Sequence, residues 1–263
     1  MDFGISAKIA LVTASTRGLG RGCAEQLAGE RCRVAVCSRD SQEATQAARE
    51  IADLTGTEVM GFQADVAVPA DITRLLAEVE QSMGNPDILV TNAGGPSPGT
   101  YASTAIEDYE KALNLTLMSA VHLIHHVTPA MQNKGWGRII AITSISVKQP
   151  IGTLLLSNMA RAGLTGFLKT IATELAPDGI TVNALLPGTH KTSRIDQLVK
   201  FRSDQEKKSP EEIIDEMMAA NPSHTIGDPS DFGAAAAFLA SVQAKYITGQ
   251  NLLIDGGKYR GLL

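Results

Sequence analysis

Short apolar runs alternate with longer segments of helical periodicity along most of the chain. Seven of these runs have the length of a strand: residues 9–12, 34–37, 59–62, 88–90, 139–142, 181–186 and 252–254. Each connection is long enough to hold a helix, and right-handed strand–helix–strand crossovers pack their helices back onto a parallel sheet. The pattern predicts a single, doubly wound α/β domain over residues 1–263, with a seven-stranded parallel sheet and helices on both faces.

The most polar part of the chain follows the sixth apolar run. Residues 200–212 read KFRSDQEKKSPEE and precede an amphipathic segment at residues 213–218. Two interpretations stay open: a helical hairpin exposed to solvent, or a mobile substrate lid spanning about residues 190–222. Ligands of open α/β sheets bind at the carboxyl ends of the strands, so either structure would lie near a ligand site.

Composition supports the α/β class and narrows the function. Of 263 residues, 44% are hydrophobic but only 4% are aromatic, which suits parallel strands covered by helices better than a β-sandwich. The net charge of −5 argues against the clustered positive charge that binds phosphate backbones. We therefore expect a small-molecule substrate and no nucleic-acid partner.

The cysteines and the absence of long apolar runs indicate the compartment. Cys23, Cys32 and Cys37 are odd in number and fall within the first strand–helix–strand unit, so we expect buried, reduced thiols rather than a disulfide. The first residues show no basic segment followed by a long apolar stretch, and no later run has the length that spans a bilayer. We expect a cytoplasmic protein with no membrane partner.

Glycines follow the first predicted strand directly. The segment Thr13-Ala14-Ser15-Thr16-Arg17-Gly18-Leu19-Gly20 leads into a helix. Glycines at such a junction let backbone N–H groups approach a pyrophosphate at the positive end of the helix dipole. The spacing resembles the Thr-Gly-x-x-x-Gly-x-Gly fingerprint of the short-chain dehydrogenase/reductase family, with Ala14 in place of the first glycine. We expect a negative φ at Ala14, because a side chain disfavours positive φ.

The resemblance covers the whole chain. Within the family, the chain resembles the 3-oxoacyl-acyl-carrier-protein reductases. Its further segments are Asp65-Val66, Thr91-Asn92-Ala93-Gly94-Gly95, Pro187-Gly188-Thr189-His190-Lys191-Thr192, Tyr246-Ile247-Thr248-Gly249-Gln250 and Asp255-Gly256-Gly257. The family pattern implies a Rossmann-type domain that binds a nicotinamide dinucleotide. It assigns the cofactor to Thr13, Ser15, Thr16, Arg17, Gly18, Leu19, Gly20, Ser38, Arg39, Asp65, Val66, Asn92, Ala93, Gly94, Arg161, Pro187, Gly188 and Thr192.

The choice of cofactor depends on the end of the second predicted strand. An acidic residue there binds the ribose 2′-OH of NAD, and a positive one accommodates the 2′-phosphate of NADP. This chain has Ser38 and Arg39, and the family pattern brings Arg17 to the same phosphate, so we expect NADP, with NAD less favoured. Asp40 has two open roles: a cap for the following helix, or an ion pair with Arg39 that weakens phosphate binding.

The family's catalytic tyrosine and lysine are replaced in this chain. The resemblance implies that Ser144 orients the substrate and that Asn114 holds a proton-relay water. Ser157 stands at the tyrosine position and Arg161 at the lysine position. Serine is a weaker acid than a phenol, and an arginine pKa above about 12 prevents proton relay near neutrality. Cofactor binding is therefore better supported by the sequence than catalysis.

Three functions stay open at this point. In the first, the protein is an NADP-dependent oxidoreductase that transfers hydride between nicotinamide and a carbonyl or alcohol substrate: Ser144 and Ser157 bind the oxygen, and Arg161 supplies positive charge. A water held by Asn114, or another group, then delivers the proton. The second function is a nucleotide-binding or redox-sensing protein without turnover. The third is a dehydratase or isomerase in which Arg161 anchors a carboxylate or phosphate. We favour the first.

Other side chains are weaker candidates for chemistry. Tyr101, His190 and Lys148 could donate the proton, although surface packing or solvation is the simpler role for each. His122 and His126 have the i, i+4 spacing of metal ligands on a helix. Because no acidic or cysteine partner stands near them in the sequence, a helix surface or an oligomer contact fits them better, and we expect no metal.

The family resemblance also implies a homotetramer. One interface would form from the helices near Asn114 and Ser157, and another from the final strand. Apolar positions along residues 155–167 fit a buried helix, which core packing alone would also explain.

Overall fold

Seven parallel strands form one sheet at the centre of the molecule. A computed structural model describes residues 2–262 and gives the strand order β3-β2-β1-β4-β5-β6-β7. The strands are β1 (Ile9–Val12), β2 (Arg33–Ser38), β3 (Val59–Gln63), β4 (Ile88–Thr91), β5 (Gly137–Ile142), β6 (Ile180–Pro187) and β7 (Asn251–Ile254). All seven predicted strands are present, and the fold class is confirmed.

Helices connect these strands and cover both faces of the sheet. They are α1 (Gly18–Gly29), α2 (Ser41–Thr55), α3 (Pro69–Ser82), α4 (Ile106–Leu113), α5 (Ser119–Lys134), α6 (Leu155–Leu175), α7 (Ser193–Glu206), α8 (Pro210–Ala219) and α9 (Pro229–Ala240). A π-helical turn at Asn114–Met118 joins α4 to α5 without a break.

Two separate hydrophobic clusters follow from the alternation of side chains along the strands. In β1, Leu11 points into the cluster that α3, α5 and α6 cover, and Ala10 points into the cluster beneath α1, α2 and α9. Leu123 and Leu164 contribute helix side chains to the first cluster. Burial on both faces explains why the strand sequences are almost continuously apolar.

The strand order reverses its direction between β1 and β4. From β1 the chain builds outward to β2 and β3, and it then returns to place β4 on the other side of β1. Such a reversal leaves a crevice at the carboxyl ends of the two strands, because their following helices go to opposite faces. The topology therefore positions a ligand site above β1 and β4.

The polar insertion folds as the helical hairpin α7–α8. Arg202 lies at its centre and bonds Glu206 at 2.6 Å and Glu216 at 2.7 Å. Lys208 completes this network at Glu216, and Ser209 caps α8 through its hydroxyl. The structure thus confirms a helical hairpin, while its mobility as a lid stays a prediction.

The cysteines and the helix lengths bear on two further expectations. Cys23, Cys32 and Cys37 are buried and free, and burial raises the pKa of Cys23 and of Cys32 to about 12. At neutral pH these thiols stay protonated and unreactive. Within residues 2–262, every helix is too short or too polar to cross a bilayer.

Candidate active site

A deep cleft opens above the carboxyl ends of β1, β4, β5 and β6. Its volume is about 990 Å³, and the hairpin α7–α8 forms one wall. Most of the residues that the sequence assigned to a site line it: Thr16, Arg17, Gly18, Leu19, Ser38, Arg39, Asp65, Val66, Asn92, Ala93, Gly94, Ser144, Ser157, Arg161, Pro187, Gly188 and Thr192. Residues that are far apart in the sequence thus meet in one place, as the strand ends require.

The glycine loop leaves space for a ligand to approach the backbone. Gly18 has a φ of +59°, a conformation that side chains disfavour. A Cβ atom on Gly20 would lie 2.6 Å from the carbonyl oxygen of Ala14 and 2.7 Å from Nδ2 of Asn92. Only glycine fits there, so the start of α1 can stay close to β1 with its N–H groups directed at the cleft.

Three of the predicted cofactor residues in this segment are buried and do not line the cleft. Thr13 donates from Oγ1 to the carbonyl of Asn92 at 2.7 Å and accepts from the Asn92 N–H at 2.8 Å. Ser15 donates to the Val12 carbonyl at 2.6 Å and accepts from the Cys37 N–H. Thr13, Ser15 and Gly20 are buried, so they hold the loop in position for the residues that line the cleft.

The backbone at Ala14 differs from the expectation. Its φ is +46°, in the left-handed region, whereas we expected a negative value. In this conformation the Ala14 carbonyl accepts a hydrogen bond from Nδ2 of Asn92 at 3.0 Å. The contacts of Thr13 and Ser15 on either side fix the loop, and their combined hydrogen bonding outweighs the local cost of about 1–2 kcal/mol.

Two unpaired arginines lie at the end of the cleft near β2. Arg17 and Arg39 are exposed, line the cleft, and form none of the ion pairs found among residues 2–262. Asp40 does not engage Arg39, because it caps α2 by accepting from the N–H groups of Gln42 at 2.7 Å and Glu43 at 3.0 Å. The capping role is therefore the correct one of its two open roles.

Ser157 and Arg161 form a hydrogen-bonded pair at the opposite end, on the first turns of α6. Arg161 donates from Nε to Oγ of Ser157 at 3.1 Å and from Nη1 to the Ile142 carbonyl at 2.8 Å. Ser144 lies in the same cleft, where its hydroxyl accepts from the Ser146 N–H at 3.0 Å. Two hydroxyls and one guanidinium thus converge near the end of β5.

Burial changes the acidity of Arg161. Desolvation, with repulsion from Arg194 as a second cause, lowers the pKa of Arg161 to about 10. The sequence did not show that this side chain would be only 8% exposed. The group still carries its positive charge at neutral pH.

A small cavity with a mixed polar and apolar lining lies beside Arg161. Its walls include Thr91 and Thr116, whose buried Oγ1 atoms have no hydrogen-bond partner in the described structure. A volume of about 10 Å³ is near the minimum for one water molecule. The side chain of Asn114 is exposed at the start of the π-helical turn, outside the residues that line either cavity. The relay role predicted for Asn114 stays a prediction.

The structure separates the candidate proton donors. Tyr101 is 85% exposed and lies outside the cleft lining. Lys148 also lies outside the lining, with Nζ 5.5 Å from the centre of the Tyr259 ring. His190 lines the cleft but is packed edge-on against Phe232, with ring centres 5.4 Å apart. Burial lowers the pKa of His190, so it is neutral near pH 7.

The paired histidines of α5 lie on the outer face of the molecule. His126 is exposed and His122 is half-buried. Among residues 2–262, the structure groups no three histidine, cysteine or acidic side chains in a way that would hold a metal ion.

Sequence reasoning missed two cations in the cleft. Arg194 donates from Nη2 to the Pro96 carbonyl at 2.8 Å, and Lys258 donates from Nζ to Oγ1 of Thr189 at 3.3 Å. Both residues line the cleft. Arg194 stands two residues after Thr192, so its position at the start of α7 was the available signal.

Comparison with known proteins decides the family. A family model described as enoyl-(acyl carrier protein) reductase matches residues 13–258, nearly the whole chain. The chain belongs to the short-chain dehydrogenase/reductase family. It is 34% identical over 257 residues to the 3-oxoacyl-acyl-carrier-protein reductase FabG of Staphylococcus epidermidis, covering 96% of this chain and 99% of that protein. It is also 34% identical over 254 residues to human dehydrogenase/reductase SDR family member 4, covering 96% and 88%.

Solved structures of the short-chain dehydrogenase/reductase family match the fold closely. L-sorbose reductase from Gluconobacter frateurii, in complex with NADPH and L-sorbose, gives a TM-score of 0.94 with 32% identity, and all of both chains is covered. An actinorhodin polyketide ketoreductase with NADPH gives a TM-score of 0.92 with 33% identity, covering 96% of this chain and 97% of the other. The chain is therefore an oxidoreductase by family.

Proposed function

We propose that the protein is an NADPH-dependent reductase of carbonyl compounds that uses Ser157 and Arg161 where the family has tyrosine and lysine. The observation that carries this proposal is the hydrogen bond from Arg161 to Ser157 beside Ser144, at the floor of a cleft built for a dinucleotide. The reverse reaction, oxidation of the alcohol, uses the same groups.

The cleft fits NADPH at both ends of its length. The cleft beside Gly18 admits a pyrophosphate against the N-terminus of α1. Among residues 2–262, Arg17 and Arg39 form no ion pair, and they suit a 2′-phosphate, since Asp40 is engaged as a helix cap. Similar structures contain NADPH, which supports the same cofactor here, with NAD less favoured.

The side chains around Ser157 can complete a reduction. NADPH, when bound, supplies the hydride. The hydroxyls of Ser144 and Ser157 bind the carbonyl oxygen, and the charge of Arg161 stabilises the negative charge that develops there. An alkoxide is about as basic as the conjugate base of serine, so Ser157 can pass its proton to the oxygen and regain one from water. This mechanism needs no tyrosine, but it is slower than one with an acid of matched pKa.

The hairpin α7–α8 is proposed as the substrate lid, over about residues 190–222. Its inner residues, including Leu198, Phe201 and Met217, line the cleft. Partly exposed ion pairs of Arg202 with Glu206 and Glu216, which also line the cleft, link the two helices and contribute little to stability. NADPH should slow proteolytic cleavage near Lys207, and cleavage that is unchanged by saturating NADPH would contradict the lid.

The test of the reductase is oxidation of NADPH, followed at the nicotinamide absorption band, with a panel of ketones, aldehydes and sugars. Replacing Ser157→Ala should lower kcat by about 100–1000-fold, because one oxyanion donor and the proposed proton donor are lost together. Arg39→Asp should raise the dissociation constant for NADPH by at least about 10-fold and leave that for NADH unchanged or lower, since an acidic residue there can bind the ribose 2′-OH.

The double variant Ser157→Tyr with Arg161→Lys is the matched control. If only this variant oxidises NADPH with the panel, the native protein is not a reductase of these compounds. Binding of NADPH without turnover in the native protein would favour a redox-sensing role, and product formation without a net change in cofactor would favour a dehydratase or isomerase.

A further inference from the structure

Three positive side chains in the cleft form no ion pair in the part of the chain that the structure describes. Arg161, Arg194 and Lys258 all line it, and none of them belongs to an ion pair among residues 2–262. Arg161 is buried, and Arg194 and Lys258 are half-buried. Charges that are removed from water are normally paired, because desolvation is costly. An unpaired cluster at a ligand site therefore indicates that the ligand brings the opposite charge.

Arg161 is the most deeply buried of the three. Its side chain is held by Ser157 and by the Ile142 carbonyl, both uncharged. These two bonds use Nε and Nη1, so other N–H donors of the Arg161 guanidinium can bind a ligand in the cleft. A guanidinium favours oxygen anions with two acceptors, such as carboxylate and phosphate.

Arg194 reaches across the cleft from the first turn of α7. Nη2 donates to the Pro96 carbonyl at 2.8 Å, and Cζ lies 3.2 Å from the place where a Cβ on Gly95 would stand. The glycine therefore makes room for the guanidinium. Both guanidinium groups line the same cleft, and repulsion from Arg194 adds to the effect of burial in lowering the pKa of Arg161.

The acidic residues of the cleft do not neutralise this region. Glu206 and Glu216 are bonded to Arg202 and Lys208 in the hairpin. Asp65 accepts from the backbone N–H of residue 67 at the other end of the cleft. The phosphates of the proposed cofactor have their own sites, at the glycine loop and at the arginines near β2, so the positive charge near α6 remains.

We propose that the substrate carries a carboxylate or phosphate group, which Arg161 and Arg194 bind together and which Lys258 attracts. The inference rests on the proposed reductase function and specifies its substrate class. The anion anchors the substrate so that its carbonyl lies against Ser144 and Ser157. Neutral sugars and simple ketones are then poor substrates, because they leave the two guanidinium groups unpaired.

Matched substrate pairs test the charge requirement directly. Acetoacetate is compared with methyl acetoacetate, and dihydroxyacetone phosphate with dihydroxyacetone, each with saturating NADPH. The anionic member of at least one pair should have a kcat/KM higher by about 100-fold, since two charge-assisted contacts are made. A difference in kcat/KM within the acetoacetate pair indicates a carboxylate site, and a difference within the dihydroxyacetone pair indicates a phosphate site. Equal values in both pairs, or higher values for the neutral members, would overturn the proposal.

Variants of Arg194 test the assigned residue. Arg194→Met should lower kcat/KM for the anionic member by about 10–100-fold and leave the neutral member within about twofold. Arg194→Lys should recover part of the loss, and Arg49→Met, an exposed change on α2 outside the cleft, should have no effect. If Arg194→Met instead raises the dissociation constant for NADPH and the preference for anions is kept, Arg194 binds the cofactor and the assignment is wrong.

A binding measurement separates this proposal from the reductase function. Acetoacetate or inorganic phosphate is titrated by calorimetry into the protein saturated with NADP⁺, where no reduction can occur. Saturable binding that Arg194→Met abolishes supports the anion site even if no carbonyl is ever reduced. If neutral ketones are reduced but no anion binds, the reductase function stands and the anion site is wrong. If neither reduction nor anion binding is observed, both proposals are wrong.

Discussion

At the scale of single residues, the motif of the glycine loop predicts a binding site but not the backbone conformation of every residue in it. The spacing of Gly18 and Gly20 was sufficient to predict a nucleotide loop, although only Gly18, with its positive φ, meets a local backbone requirement, and Gly20 is required by close contacts with Ala14 and Asn92. The positive φ of Ala14 was not predictable in the same way, since it depends on contacts with Asn92, far away in the sequence. The orientation of Arg194 was missed for a similar reason: a side chain at the start of an insertion has no neighbours that the sequence alone identifies.

Replacing Ala14→Gly should stabilise the protein by up to about 1 kcal/mol. Glycine removes a left-handed strain of about 1–2 kcal/mol, and the greater freedom of the unfolded chain offsets about 0.5–1 kcal/mol of that gain. Urea unfolding gives the free energy. Ala52→Gly within α2 is the control and should destabilise by about 1 kcal/mol. Equal losses in both variants would show that Ala14 is unstrained.

At the scale of elements, α1 and α9 touch through their backbones. A Cβ atom on Gly233 would overlap the carbonyl oxygen of Gly22, and one on Gly22 would overlap the carbonyl oxygen of Pro229. The sequence predicted both helices as parts of an α/β pattern, but not this close crossing. Crossings depend on which helix faces meet, and the apolar periodicity of one helix does not identify its partner.

Gly233→Ala should therefore destabilise the fold by about 1–3 kcal/mol or more, because the two backbones must separate. Gly29→Ala is the matched control: it lies at the end of α1 with open space around it, and it should be neutral or stabilising by up to about 1 kcal/mol. Thermal and urea unfolding of both variants provide the comparison. A Gly233→Ala protein as stable as the Gly29→Ala protein would refute the close crossing.

At the scale of the whole molecule, the strand pattern predicted the architecture well. Seven apolar runs became seven strands, each within two residues of its predicted ends, because strands buried on both faces leave a strong signal. The surfaces that join subunits leave a weaker signal in the sequence. The last strand, β7, lies at an edge of the sheet, and Leu252 in it is 40% exposed; nearby Tyr246 is 98% exposed. These positions are consistent with the homotetramer that the family resemblance implies.

Sedimentation velocity should show a tetramer at micromolar concentration. Leu252→Lys should shift the population to smaller species, since a charge would be buried where the final strands of two copies meet. Leu54→Lys, on α2 and 71% exposed, is the control and should leave the distribution unchanged. A native protein that sediments as a monomer would contradict the predicted tetramer.

The contact between Ser157 and Arg161 constrains how this site can evolve. A tyrosine introduced alone at residue 157 would have to displace the guanidinium that now bonds its hydroxyl, and a lysine introduced alone at residue 161 would give up one of the two contacts, to Ser157 or to the Ile142 carbonyl. Each single substitution therefore passes through a poorer intermediate. The pair forms an epistatic unit, and lineages that carry it should retain or exchange both residues together.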